Sequence, residues 1–302
     1  MLVQLFKTLK MHRQGICMAD ITAIILTKNE ELNILECIDS IKDFASRIVV
    51  IDSGSTDKTV EIAKEHGAEV FLHPFENYAR QFNWGIDNTN IATKWLLRLD
   101  ADERFTPELC KELEREMSAH SDDEITGFTL EAWLFFMNKK LKYGGSRKKK
   151  IMVFKTGFGR IEDRKMDEHT ILSSGRALPI KEKFLHYDFK DLTTYVKKLN
   201  WYATREMQDY FENKFNDEKF NGNNSEINSI RRNKSKYYKA PMFLRCWLYY
   251  FYCLIFKGNF LNGREGMIYS FLYHFYYRWL VDAKIYEQKK NPKPFENTGD
   301  LK

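Results

Sequence analysis

The chain has 302 residues, 43% of them hydrophobic, long enough for one large domain or two modest ones and too apolar for a mostly disordered protein. Its 48 basic and 42 acidic side chains leave a net charge of +6, which favours phosphates or an anionic membrane surface but does not call for nucleic acid, so no nucleic-acid partner is expected. Five widely spaced cysteines without a CxxC pair argue against a disulfide framework and a zinc site, and for a reducing cytoplasm.

Residues 1–19 read as an amino-terminal extension. Met1 to Cys17 has scattered basic residues and lacks the apolar core and cleavage site of a secretory signal, and either Met1 or Met18 is the start. Four short apolar runs follow, Ile21 to Leu26, Ile48 to Ile51, Val70 to Leu72 and Trp95 to Leu99, each predicted to be a buried strand. Ile34, Ile38 and Ile41 recur at helical spacing between the first two. After the second, Ser55, Thr56 and Asp57 offer caps for a helix through Val60 and Ala63. The alternation predicts βαβ units and a largely parallel sheet, whose ligands collect beyond the carboxyl ends of the strands.

Thr106, Pro107 and Glu108 are the cap, first residue and dipole partner of a further helix, and Gly127 to Phe136 is a further strand. The basic stretch from Asn138 to Lys150, with Gly144 and Gly145, is read as an exposed connection at the edge of the nucleotide-handling half. A helix is expected over 191–211. Residues 212–240 form a polar, basic linker expected to be partly disordered. From 241 to 302 two aromatic-rich helices are expected, joined around Lys257 to Gly266. The longest strongly apolar run, Cys246 to Phe256, is well short of the roughly 20 residues that cross a bilayer. Their aromatic surface packs against the catalytic domain or another subunit, or else meets anionic lipid with the help of Arg231, Arg232, Lys234, Lys236 and Lys239; peripheral membrane contact is the expectation.

Three strand ends terminate in polar residues: Thr27-Lys28-Asn29-Glu30, Asp52-Ser53-Gly54-Ser55 and Asp100-Ala101-Asp102. Asp52 has the chemistry to accept a base N–H. Asp100 and Asp102 have the chemistry to meet a ribose and a hard cation, Mg²⁺ or Mn²⁺, that screens a diphosphate. An Asp-x-Asp triplet alone is more often a solvated turn, and its place directly after an apolar strand is what favours the site. Gly54 fits an ordinary turn as well as a close approach to ligand. A GxGxxG fingerprint and a GxxxxGK[ST] loop are both missing.

The runs Ile21 to Glu30, Ile48 to Asp57 and Leu99 to Asp102 resemble family 2 glycosyltransferases of the GT-A fold. Asn77 to Trp84, Met166 to His169 and Leu185 to Tyr187 are similar to the branch that contains bacterial lipopolysaccharide core glucosyltransferases. The resemblance covers residues 20–211, a GT-A domain with a Rossmann-like, mostly parallel sheet. It implies inverting transfer of a hexose from a UDP-sugar donor to a lipid-linked or lipopolysaccharide-type envelope glycan, at the cytoplasmic face of a bacterial inner membrane. Thr27, Asn29 and Glu30 would then line the nucleotide pocket, Asp52 would read uracil, Asp100 would lie near the ribose and Asp102 would hold the metal. The base that takes the acceptor proton would be Glu168, with Asp167 as its substitute; the alternative is a solvated acidic turn. His186 orients the acceptor or diphosphate, or is a satisfied structural residue. Arg80, with Asn77, Gln81 and Asn83, contacts the donor or forms a helix surface. Two rival functions remain: an Asp-x-Asp phosphohydrolase with Asp100 as nucleophile, which Arg104 weakens, and an inactive membrane-associated scaffold.

Overall fold

Period-two alternation in the first strands divides their side chains between two cores. In the computed structural model, which describes residues 18–144, 148–163, 168–212 and 225–295, without the side chains of 225–231, Ile21, Ala23, Ile25, Val50 and Leu97 face one cluster. Ile24, Val49, Ile51 and Leu96 face the other. A strand buried on both faces needs a helix on each side. Helix α1 (Ile34–Ile41) covers the first face through Ile34, Cys37, Ile38 and Ile41. Helix α3 (Tyr78–Asn88) covers the second through Ala79 and Phe82, and α2 (Thr59–Glu65) adds Ala63 to the first.

The four predicted strands are β1 (Ala19–Thr27), β2 (Ala45–Asp52), β3 (Glu69–Leu72) and β4 (Trp95–Asp100). They lie in the order β3-β2-β1-β4, all parallel. The register sets Thr27 beside Asp52 and Leu26 beside Asp100, so the polar strand ends share one rim.

Beyond β4 the sheet becomes mixed. Its further strands are β5 (Glu103–Arg104), β6 (Ile125–Phe136), β8 (Lys149–Lys155) and β11 (Arg176–His186). Strand β8 runs antiparallel to both β4 and β6, β11 runs parallel to β6, and β5 closes the edge antiparallel to β11. The short β7 (Lys139–Lys140) folds back on β6, and β9 (Gly159–Ile161) pairs with β10 (Thr170–Leu172) separately. The basic connection expected over 138–150 is therefore strand at its two ends, Lys139–Lys140 and from Lys149 onward. Helix α4 (Pro107–Ala119) starts as predicted, with Thr106 Oγ1 accepting from the Leu109 N–H at 3.2 Å. The architecture is α/β of the GT-A type, with an aromatic-rich helical region at its carboxyl end.

That region starts with α5 (Leu192–Phe211), capped by Asp191, whose carboxylate accepts from the Thr194 N–H at 2.9 Å. Part of the polar stretch at 212–240 is helical, as α6 (Ser225–Lys239). Helix α7 (Leu244–Phe251) continues through a wide π turn (Tyr252–Phe256) and a tight turn (Asn259–Asn262) into α8 (Gly263–Tyr269). A second π segment (Ser270–Tyr276) then leads into α9 (Tyr277–Lys290). The chain thus makes the expected hairpin, held at its open end by the buried Arg245–Asp282 pair. Its turn is tied to the sheet through Asn262, whose Oδ1 accepts from the Lys142 and Tyr143 N–H groups at 2.8 and 3.1 Å.

One carboxylate joins α5, α6 and α9. Glu206, 1% exposed, accepts from Tyr238 Oη at 2.6 Å, from Tyr277 Oη and from Arg278 Nη1 at 2.9 Å, and faces Lys234 Nζ at 3.3 Å. Burial works to raise the Glu206 carboxyl, and Lys234, Arg278 and the two hydroxyls overcome it, holding the group well below the usual carboxylate range. Its native form is therefore the anion. The stability it contributes is fully present above the ordinary Glu value of about 4.3 and is lost as pH falls below it. Removing the charge while leaving both cations costs about 3–5 kcal/mol in such settings. Glu206→Gln is expected to unfold at lower denaturant concentration by that order, and to lose part of the wild-type loss of stability between pH 5 and pH 3. An unchanged midpoint at pH 7 would show that this carboxylate does not hold the helices together.

Candidate active site

Asp52, fully buried, organises the rim. Its Oδ1 accepts from the Gly54 and Ser55 N–H groups at 2.9 and 2.8 Å. Its Oδ2 accepts from Thr27 Oγ1 at 2.9 Å and Ser55 Oγ at 2.5 Å. A carboxylate offers about four lone-pair sites, so a base N–H reaches Asp52 only by displacing one of these donors. Gly54 has φ +83°, which accounts for glycine there as a turn residue. Asn29, at φ +53°, is locked to the same loop: its N–H donates to Ser55 Oγ at 2.8 Å and its Oδ1 accepts from the Thr56 N–H at 2.8 Å. Glu30 is buried and paired with Lys190 at 3.0 Å.

Asp100, at the end of β4, takes a hydrogen bond from Tyr78 Oη at 2.6 Å and an ion pair from Lys150 at 3.0 Å. Arg98 donates to the same tyrosine oxygen at 2.9 Å and lies over its ring. Burial opposes ionisation of Asp100, but Lys150 and Arg98 outweigh it and hold the carboxyl well below the usual range. Neighbouring Glu103, also paired with Lys150 at 2.7 Å, is pushed up by burial. Both Asp100 oxygens are thereby engaged, Oδ1 by Tyr78 and Oδ2 by Lys150.

Asp102 is positioned by the edge of the sheet. Pairing of β5 with β11 sets Glu103 opposite His186, and the Tyr187 N–H donates to the Asp102 carbonyl at 2.8 Å. His186 Nε2 then lies 3.5 Å from Asp102 Oδ2. Asp188 completes a group whose ligand atoms all fall within 4.8 Å of one another. His186 is 3% exposed and its Nδ1 has no hydrogen-bond partner, a buried donor or acceptor that a purely structural histidine would satisfy. Two carboxylates and an imidazole are a fitting donor set for Mn²⁺ or Mg²⁺. Asp188 was not among the residues singled out from the sequence; its spacing of two from His186 was the available signal, and only the β5–β11 pairing gives that spacing meaning.

A cavity of about 750 Å³ is lined by Asp100 and Glu103, the chain neighbours of Asp102, whereas Asn29, Glu30, Asp52, Asp102, His186 and Asp188 do not line it. Thr27, Asp100 and Glu168 line it, so three of the separated motifs meet in one cleft. Glu168 Oε1 is 3.2 Å from Arg205 Nη2, a pair between the segment before β10 and helix α5. Asp167 lies outside the described residues. The Arg80 guanidinium is exposed, paired with Glu76 and, at 3.3 Å, with Asp163, and it does not line the cavity. Its neighbours are likewise structural. Asn77 caps α3, Gln81 bonds His73 and Ser53, and Asn83 exchanges hydrogen bonds with Ile161. They satisfy the pattern of a capped helix docked on β9.

The sequence reasoning missed the aromatic and cationic wall that the carboxyl-terminal helices add. Trp201, Tyr202, Arg205 and Glu206 from α5, Tyr237 from α6, and Tyr273 and Arg278 from the hairpin all reach the cavity. Positions 201, 202, 205 and 206 lie on one helical face, a signal present in the sequence that only the docked helix explains.

Removing the Asp52 carboxylate would strand the buried Thr27 hydroxyl and the N–H groups of Gly54 and Ser55, each costing about 1–3 kcal/mol if left unmet. Asp52→Ala is expected to lower stability by at least about 2 kcal/mol and to speed amide exchange at residues 53–56. Native exchange rates in that loop would contradict this account of the rim.

Residues 22–172, half of the chain, match the sequence model of the family described as glycosyl transferase family 2. An uncharacterized glycosyltransferase of Rickettsia felis is 28% identical over 201 residues, covering 64% of this chain and 70% of that protein. One from Rickettsia bellii is 26% identical over 296 residues, covering 93% and 91%. The lipopolysaccharide core biosynthesis glycosyltransferase LpsC of Rhizobium meliloti is 34% identical over 113 residues, covering 36% of this chain and 40% of that protein. Among solved structures, glucosyl-3-phosphoglycerate synthase from Mycobacterium tuberculosis is similar at 22% identity and a TM-score of 0.31, covering 38% of this chain and 44% of that chain. The match spans the four parallel strands and their polar ends, and the chain belongs to glycosyl transferase family 2.

Proposed function

We propose that this chain moves a hexose from a UDP-sugar to a lipid-linked or lipopolysaccharide-type envelope glycan, with inversion, at the cytoplasmic face of a bacterial inner membrane. The observation that carries the reading is the meeting of Thr27, Asp100 and Glu168 in one cavity, with Asp102, His186 and Asp188 grouped at the sheet edge where cavity-lining Glu103 pairs with His186. Thr27, Ser53 and Lys28 form the nucleotide end, where Lys28 Nζ donates to the Ser53 and Gly54 carbonyls at 2.9 and 2.7 Å and stiffens the loop. Asp102, His186 and Asp188 are the residues to hold Mg²⁺ or Mn²⁺, which when bound supplies positive charge to a departing diphosphate. Glu168, held by Arg205 across the cavity, accepts the proton of the acceptor hydroxyl as that oxygen attacks the sugar carbon from the face opposite the leaving group. Apolar and aromatic walls limit water, which would otherwise compete as acceptor.

Membrane contact is part of the proposal. Leu244, Trp247, Leu248, Phe251, Tyr252, Ile255 and Phe256 are all exposed. They recur every three or four residues along one continuous helical run, the spacing of a single face. Phe256 is 80% exposed, and the exposed cations Lys257 and Arg264 flank the turn. Such a stripe suits a helix lying in a lipid interface. The basic group expected to assist it is reduced: Lys234 turns inward to Glu206, while Arg232, Lys236 and Lys239 are exposed. Arg231 has its side chain outside the described set. Among the described residues no helix is long and apolar enough to cross a membrane.

General-base removal commonly costs 10²–10⁴-fold. Glu168→Gln is expected to lower kcat by about 10²-fold or more while UDP still binds, and Asp102→Ala to abolish calorimetric Mn²⁺ binding in the presence of UDP. Transfer that survives both changes would defeat the assignment. Separately, the protein is expected to cosediment with anionic liposomes at low salt, less so at high salt, and Phe256→Asp is expected to weaken the association. Failure of the wild type to sediment at low salt would remove the membrane face.

A further inference from the structure

The parallel strands supply one end of the cavity. Leu26, Thr27 and Lys28 come from the end of β1, Ser53 from the end of β2 and Asp100 from the end of β4, and one aromatic ring, Phe75, comes from the loop after β3. In the strand order β3-β2-β1-β4, Phe75 follows the first strand and Asp100, two residues before Asp102, ends the last. The loop that carries the ring is fixed on both sides of it. The His73 N–H donates to the Asp52 carbonyl at 2.9 Å, and the His73 ring stacks on Trp84 with centroids 4.3 Å apart. Pro74 then narrows the backbone choices of itself and of His73. On the other side, Asn77 Oδ1 accepts from the Arg80 N–H at 2.8 Å and its Nδ2 donates to Asp163 Oδ1 at 2.9 Å. Gln81, fully buried, ties this loop to the rim. Its Oε1 meets His73 Nδ1 at 2.7 Å, and its Nε2 donates to the His73 carbonyl at 3.0 Å and to Ser53 Oγ at 3.1 Å.

Phe75 is half-buried and lines the cavity, and among the described residues no other ring and no cation packs on it. Tyr78, three residues on, is by contrast stacked on Phe82 and covered by Arg98. A ring held in place by its loop loses little further freedom when a flat ligand covers it. The donor has two parts that could lie on such a face, its sugar and its base. The sugar carbon must face Glu168, and the diphosphate lies between that carbon and the nucleoside, so the base is the part that reaches the β3 side of the rim. Resting on the glycosyltransferase reading above, we propose that Phe75 is the platform on which the nucleobase of the donor stacks. Every base has a flat face that an aromatic ring can meet. Phe75 therefore supplies affinity, and the choice among bases falls to the polar groups of the rim that meet the base edge.

The test is calorimetric titration of the full chain, in the presence of Mn²⁺, with UDP and with ribose 5-diphosphate, which lacks the base; ADP and GDP are titrated alongside. Phe75→Ala is expected to weaken UDP binding about tenfold or more and to leave ribose 5-diphosphate binding unchanged, and Phe75→Tyr to keep both affinities. Equal UDP affinity in the wild type and in Phe75→Ala overturns the proposal. So does a loss shared equally by ribose 5-diphosphate, because the ring would then act on the phosphate end or on the fold. Phe75→Trp gives a second readout: the emission of the added tryptophan is expected to be quenched by UDP and not by ribose 5-diphosphate. Emission that bound UDP leaves unchanged counts against stacking. A wild type that binds ADP or GDP in place of UDP, with the same dependence on Phe75, overturns the UDP assignment and upholds the platform. A wild type that binds no nucleoside diphosphate overturns both.

Discussion

The site depends on a very short strand pairing. Glu103 and Arg104 add themselves to the edge of β11, with Leu185 opposite Arg104 and His186 opposite Glu103. This contact joins the end of the parallel half of the sheet to the last strand of the mixed half. Without it Asp102 would terminate a surface turn, and His186 and Asp188 would follow an unrelated edge. With it, three potential ligand atoms lie within 4.8 Å of one another. Backbone hydrogen bonds set this proximity at little entropic cost, because both segments are already fixed by β4 and β11.

Around that junction the protein tolerates an unusual density of buried charge by sharing it. Asp100 is ionised because Lys150 and Arg98 overcome its burial, and Tyr78 links Asp100 to Arg98 through one hydroxyl. Glu206 plays the corresponding part among the helices. The two networks lie on opposite sides of the same cavity, so the charges that organise the sheet end and those that dock the helices also set the field a ligand meets. Stability and recognition are therefore coupled: a substitution that unbalances either network changes both the packing and the potential in the cleft.

The carboxyl-terminal hairpin divides its aromatic residues by face. Inward, Phe136 of β6 meets Phe189, Tyr195 and the hairpin's Tyr269 edge to face, so part of the aromatic excess packs against the sheet. Outward, the stripe from Leu244 to Phe256 remains exposed. Packing thus accounts for the inward residues, and the outward ones are those on which the proposed membrane contact rests. Burial also pushes the His274 imidazole down to about 3, keeping it neutral between Asn259 and Ser270.

How much was legible beforehand follows from the range of the interactions. The four parallel strands, the cap at Thr106 and the long helix after residue 191 were readable because each rests on local periodicity or on a side chain bonding a backbone group three residues on. The gathering of Thr27, Asp52 and Asp100 was readable too, since a βαβ order places strand ends on one rim. Sequence alone could not decide the position of Arg80, because a capped helix and a ligand-contacting cluster use the same polar spacing. Nor could it disclose Asp188 as a partner of Asp102, or the aromatic and charged wall built by Tyr202, Glu206 and Arg278. Those depend on which edge β5 joins and how α5 docks, contacts between residues tens of positions apart. Local propensity sets the elements; only the closing of the sheet and the docking of the hairpin decide which charges face each other.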